Sequence, residues 1–252
     1  MGLGFGPPIT PPVIKQLLIA NAIVFLAQIL TGGGDVGRSI LTNFGAVQPL
    51  DVWRHGMLWQ PFTYMFLHAS LLHVGFNMFA LWMFGPQLAL VWGPQRFLRY
   101  YLVCGVGAGL LIASVPWVAV LLGWTSAMAL ALPTLGASAA VYGVILAYSL
   151  TWPDRTIMLI FPPVAFRAIW LIPVLFFMEY AFGPGNVSHL GHLGGVLVGW
   201  LYLRRDGSGT RLLPSLEQVR WRWRRFRMRR RLRAVQREEN VWRSSGNDRW
   251  WH

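Results

Sequence analysis

The chain has 252 residues, of which 55% are hydrophobic and only 12% charged, with a mean hydropathy of +0.46. Soluble domains carry about 25% charged residues, so this composition excludes an ordinary soluble protein and a disordered chain and points to an integral membrane protein. The net charge of +13 gathers after Leu203, where fifteen basic and five acidic residues give +10; the body before it holds seven basic and four acidic residues.

The N-terminal segment, 1–12, has no basic stretch leading into a short apolar run and a small-residue cleavage site, so no cleavable leader is expected. Candidate membrane spans follow at about 13–30, 71–93, 97–123, 136–152, 164–182 and 187–203. Spans of this kind need roughly 17–25 apolar residues; the fourth and sixth are short and rich in glycine and alanine. The expected fold class is all-α: a polytopic membrane protein with a six-helix bundle over 13–203 and a basic tail over 204–252. Six crossings put both termini on one side. That side holds Lys15, Arg96, Arg99, Arg155, Arg167 and the fifteen tail arginines, against Arg38 and Arg54 on the other. The bias places both termini in the cytoplasm.

Residues 31–70 form a long outer loop. It opens with Thr31-Gly-Gly-Gly-Asp35 and carries Trp53, Trp59, Phe62, Tyr64 and Phe66. This aromatic density fits a segment lying in the membrane interface and, equally, an ordinary folded loop. Cys104, the single cysteine, excludes an internal disulfide and reads as a small buried apolar residue.

Ionisable and polar groups within a membrane are expensive and mark functional sites by default. His73 and Asn77 lie early in the second span, Ser138 at the start of the fourth, Glu179 late in the fifth, and His189 and His192 early in the sixth. All fall toward the outer face, so independent spans place their polar groups at one depth. A helix starting after Pro133-Thr-Leu puts Ser138 in its first turn, beside free backbone N–H groups. These groups and the helix dipole are suited to stabilising an oxyanion. Alone, such a serine reads as a packing position or a helix cap, since serines of that kind are common in membrane helices.

The sixth span sharpens the choice. Gly191, Gly195 and Gly199 recur every fourth residue, and Gly136, Ala139, Ala140, Gly143 and Ala147 give the fourth span a small face of its own. Close approach of the two helices would bring His192 to Ser138 as an activating base. Tyr142, one turn after Ser138, is placed to pack on the His192 ring. His73 and Asn77, one turn apart, can both donate hydrogen bonds to developing negative charge, or simply tie two spans together. No acid is obviously placed to complete a triad, and Glu179 is the only acidic residue within a span. His73, His189 and His192 are considered as metal ligands, but no His-Glu-x-x-His pattern or nearby carboxylate set supports this. No metal and no cofactor are expected. His55 and His68 read as interfacial polar residues.

Three segments together resemble the rhomboid family of intramembrane serine proteases over residues 13 to about 203. They are His68-x4-His73-x3-Asn77-Met, Gly136-Ala-Ser138 with Tyr142-Gly143, and Gly191-His192-Leu-Gly-Gly195. The resemblance implies a Ser138–His192 dyad with serine as nucleophile and histidine as general base. It implies an oxyanion hole of His73, Asn77 and the Ser138 backbone N–H, with Tyr142 packed on the histidine. The reaction it implies is peptide-bond hydrolysis in or near the transmembrane segments of other membrane proteins, at small and helix-destabilising sequence. Gly183-Pro-Gly-Asn186 would cap the site. Ala139 stands where the family commonly has glycine, and Trp59-Gln60, with Trp53-Arg54 just upstream, where a Trp-Arg loop motif is frequent. The competing function is a rhomboid-like pseudoprotease that binds transmembrane clients.

In the tail, Arg220-Trp-Arg-Trp-Arg-Arg-Phe-Arg-Met-Arg-Arg-Arg reads as a basic helix with interleaved aromatics. Its expected partners are membrane lipids with anionic headgroups. Nucleic acid and a plain solvated tail are the alternatives, although nothing in the tail reads base edges. The default location is the cytoplasmic (inner) membrane of a bacterium.

Overall fold

The computed structural model describes residues 6–158, 164–182, 188–206 and 228; the tail helix and the 183–186 cap therefore lie outside the described residues. The described chain is mainly helical. Helix α1 is Pro12–Thr31, and the loop after it folds into three short helices, α2 (Ile40–Gly45), α3 (Pro49–Arg54) and α4 (Gln60–Thr63). The longer helices are α5 (Leu71–Trp92), α6 (Pro94–Leu121), α7 (Ser138–Thr151), α8 (Leu171–Phe182) and α9 (His189–Arg205).

Local chemistry fixes several of these ends. Pro12 and Pro94 occupy first-turn positions, where their locked φ suits a helix and their missing N–H costs nothing. The Ser70 and Ser188 hydroxyls cap α5 and α9 by accepting from the backbone N–H groups of His73 and Gly191, each at 3.2 Å. Helices α1, α5 and α6, of 20, 22 and 28 residues, are each long and apolar enough to cross a membrane. Helices α7, α8 and α9, of 14, 12 and 17 residues, are shorter.

The core lies among α1, α5, α6, α7 and α9, with Phe97, Tyr100, Tyr101, Leu81 and Leu88 fully buried. Two of its buried hydroxyls are paired: Tyr100 donates to the Gly143 carbonyl at 2.8 Å, and Tyr64 to the Gly105 carbonyl at 2.7 Å. Cys104 is also fully buried there.

The expected start of the fifth helical run at 164 is corrected. Ala165–Arg167 forms a strand, β2, antiparallel to β1 (Thr156–Met158) in the register Thr156 to Arg167. The Ala168 N–H donates to the Arg155 carbonyl at 2.7 Å, that of Ile169 to the Pro153 carbonyl at 3.2 Å, and Arg167 pairs with Asp154 at 3.6 Å. These bonds turn the chain back along the end of α7, so the helix begins only at Leu171.

The 31–70 loop is a folded unit with two faces. Val47, Val52, Gln60, Met65, Leu67 and His68 are buried, whereas Trp53, Trp59 and Phe62 remain about half exposed. The Trp53 indole donates to the Ala113 carbonyl of α6 at 3.1 Å, while that of Trp59 donates within the loop to the Phe44 carbonyl at 2.8 Å. Gln60 accepts from the Gln48 N–H at 3.0 Å. Of the two tryptophans, Trp53 thus ties the loop to the bundle, and Trp59 with Gln60 closes the loop on itself.

Candidate active site

The segment entering α7 is held by the 31–70 loop. Thr134 and Val47 exchange two backbone hydrogen bonds of 2.8 Å, and the Gly136 N–H donates to the Tyr64 carbonyl at 2.9 Å. The Ala137 N–H points to His68 Nε2 at 3.4 Å. His68 is therefore corrected from an interfacial residue to a fully buried support one residue from Ser138. Burial, with a smaller push from His73, lowers its imidazole from the ordinary value to about 3, which keeps the ring neutral and able to accept at Nε2. Gln28 of α1 holds His68 from behind. Its amide oxygen accepts from the His68 N–H at 3.0 Å, and its NH2 donates to the His68 carbonyl at 3.3 Å and to the Thr42 hydroxyl at 2.8 Å. His55 is exposed and pairs instead with Asp51 at 2.8 Å.

Ser138 is the first residue of α7, where backbone N–H groups have no carbonyl one turn back to bond. Its Oγ lies 2.7 Å from His192 Nε2. The Tyr142 ring stacks on His192 with centroids 4.3 Å apart and planes 10° from parallel. His192 is 8% exposed, so the pair is shielded but open on the serine side.

Gly136 fits this corner for two reasons. Its φ of +130° lies in the region that favours glycine, and a Cβ there would stand 2.8 Å from His73 Cε1 and Nε2. His73 thus lies against the turn that presents the serine. Its Nδ1 faces the Ala69 N–H at 3.4 Å, an arrangement that leaves Nε2 to carry the ring hydrogen. Asn77 is buried and donates one amide hydrogen to the His73 carbonyl at 3.0 Å, leaving the second available.

The glycine stripe of α9 is shared between two helices. Gly195 abuts α7, at the Ala139 carbonyl; Gly199 lies nearest Tyr100 and Cys104 of α6, and Gly191 nearest Ile112 of α6. Gly143 of α7 in turn receives Cys104 of α6. Helix α9 therefore sits in the groove between α6 and α7. Ala139 brings its backbone oxygen to the crossing and still leaves Ser138 within hydrogen-bond distance of His192.

An acid that the sequence does not obviously place stands beside the pair. Glu179 of α8 places Oε2 2.7 Å from His192 Nδ1 and 2.8 Å from the Tyr142 hydroxyl, with its side chain 8% exposed. His189 Nδ1 lies 2.5 Å from the other oxygen, Oε1, without hydrogen-bond alignment. In the sequence Glu179 is a lone acid in an apolar run. Among the described residues, no group of three His, Cys, Asp or Glu side chains is arranged to hold a metal ion.

A serine at a helix N-terminus thus stands within hydrogen-bond distance of a shielded histidine inside a mainly helical, apolar body. The Rhomboid domain family model matches residues 55–207, more than half the chain, and the chain belongs to the rhomboid family. With its apolar helices, this makes it an integral membrane protein. It is 25% identical over 219 residues to Rhomboid protease GluP of Bacillus subtilis, covering 81% of this chain and 38% of that one. It is 33% identical over 144 residues to the mitochondrial Rhomboid protein 1 of Saccharomyces cerevisiae, covering 54% of this chain and 38% of that one. It is 31% identical over 194 residues to the human mitochondrial presenilin-associated rhomboid-like protein, covering 75% of this chain and 47% of that one. The chain thus spans less than half the length of these three relatives.

Proposed function

We propose that this chain is an intramembrane serine endopeptidase that cuts membrane-protein substrates in or near their transmembrane segments. The observation that carries the reading is the 2.7 Å contact between Ser138 Oγ and His192 Nε2. Ser138 Oγ attacks the scissile carbonyl carbon as its proton passes to His192 Nε2. The carbonyl π electrons move to oxygen, and the resulting oxyanion is held by the Ser138 backbone N–H, the His73 ring N–H and the free amide hydrogen of Asn77. Collapse breaks the C–N bond, and the imidazolium gives its proton to the departing amine. Water then donates a proton to His192 as its oxygen attacks the acyl-serine, and Ser138 recovers its proton as the acid leaves. Tyr142 keeps the imidazole plane fixed throughout.

The apolar runs of the sequence and the charge bias between its loops support six crossings with both termini cytoplasmic. Helix α7 rises only about 21 Å over its length, less than the about 30 Å hydrocarbon core, which sets Ser138 below the outer surface. Its substrates are segments that unwind easily, because a peptide bond inside an intact helix is shielded. The membrane is the cytoplasmic membrane of a bacterium, and the basic tail lies on anionic headgroups.

The test is cleavage by the purified full chain in liposomes of a single-span model substrate with glycine and small residues near its outer end. Products are identified by mass spectrometry. The wild type is expected to cut the substrate, and folded Ser138→Ala and His192→Ala proteins are expected not to. A wild type that leaves the substrate intact, or a Ser138→Ala protein that cuts it equally well, overturns the reading.

A further inference from the structure

We infer that Glu179 is a positioning residue for the Ser138–His192 pair, fixing the tautomer of His192 through Nδ1. The inference rests on the protease reading and deepens it. An ionised carboxylate only accepts hydrogen bonds, so the 2.7 Å contact of Glu179 Oε2 with Nδ1 puts the ring hydrogen on Nδ1. Nε2 is then the bare nitrogen, the form that can accept the Ser138 proton across 2.7 Å. With the opposite tautomer, Nε2 would already carry a hydrogen and the serine could not be deprotonated there.

Oε2 also accepts from the Tyr142 hydroxyl at 2.8 Å, and Tyr142 is the residue stacked on the same imidazole. The carboxylate therefore fixes the histidine twice, once along its edge and once through the ring lying on its face. As charge develops on the imidazole during attack, the carboxylate stands opposite it in a site that is 8% exposed. The arrangement draws on three helices, with Glu179 from α8, Tyr142 from α7 and His192 from α9. Leu171 is the only buried residue of α8 among those described, so packing alone does not account for how Glu179 is aimed.

The experiment uses the full chain in liposomes with the single-span substrate, comparing wild type, Glu179→Gln and Glu179→Ala. Glutamine keeps an oxygen to accept from His192 and Tyr142 but removes the charge, whereas alanine removes both, so the pair separates the charge from the positioning bonds. We expect kcat to fall about tenfold or more in Glu179→Gln and about 10²-fold or more in Glu179→Ala, with KM within about twofold. Nitrogen-15 NMR of histidine-labelled protein, assigned with His192→Gln, is expected to show an Nδ1–H tautomer in the wild type and a mixed population in Glu179→Ala. This readout needs no turnover, so it tests the inference even if proteolysis itself is not found. An Nε2–H tautomer in the wild type overturns it. So does kcat within about twofold of wild type in both variants.

Discussion

Gly195 of α9 meets the backbone of Ala139 in α7 so closely that a Cβ at position 195 would stand 1.9 Å from the Ala139 carbonyl oxygen. This contact sets the separation of the two helices that carry His192 and Ser138. The approach of Ser138 to His192 therefore depends on the absence of a side chain three residues beyond the histidine.

Gly195→Ala is expected to lower stability by about 1–3 kcal/mol, because the added methyl meets backbone that cannot rotate away. It should also slow labelling of Ser138 by pushing α9 off α7. Gly191→Ala is the control. There the nearest atoms are the mobile Ile112 Cδ1 and the Ser188 hydroxyl, both at 3.2 Å. Alanine also favours helix by up to about 1 kcal/mol over glycine, so this variant should be near neutral. Thermal unfolding in detergent compares the pair.

The oxyanion assignment predicts that His73→Ala and Asn77→Ala each reduce kcat by about 10²–10³-fold while leaving KM little changed, since the donors act on charge that develops only in the transition state. Steady-state kinetics in liposomes decide it. A rise in KM alone would assign the pair to substrate binding instead.

Gln28 is far from the chemistry in sequence but grips His68 from both sides of its peptide backbone. Gln28→Ala leaves buried backbone groups unpaired at a cost of about 1–3 kcal/mol. Slower modification of Ser138 should accompany it, because His68 supports the Ala137 N–H. Comparing unfolding and labelling rate in the same variant tests whether both effects occur together.

Gly136→Ala is expected to be inactive or nearly so while still inserting into the membrane. An L-residue at φ +130° is strained, and its methyl would stand 2.8 Å from the His73 ring. Substrate cleavage by this variant, with folding checked by circular dichroism, gives the measurement.

The parts of the fold most legible in sequence were those fixed by long-range composition. Apolar runs at about 13–30, 71–93 and 97–123 correspond to α1, α5 and α6, because a bilayer-length apolar segment leaves few alternatives. The run from 164 misled, since apolar residues in a short hairpin and in a helix look alike until Arg155 and Pro153 supply the partners that turn the chain back. Ser138, His192, His73 and Asn77 stood out as polar groups in apolar surroundings, and the structure brings Ser138 to His192 and His73 to the turn before the serine. Glu179 stands out in the same way, but its neighbours in sequence do not show its use, because His192 and Tyr142 come from helices other than its own. The burial of His68 is hidden in the sequence for a related reason. Nothing near it in sequence shows that Gln28, forty residues earlier, would bury it behind the serine.

The central claim, that Ser138 is activated by His192, is tested most directly by reaction of the purified full chain with a fluorophosphonate probe. Covalent labelling mapped to Ser138 in the wild type, and lost in folded Ser138→Ala and His192→Ala proteins, is the predicted result. A folded wild type that stays unlabelled and cuts no membrane substrate would contradict the account, as would labelling that persists without His192.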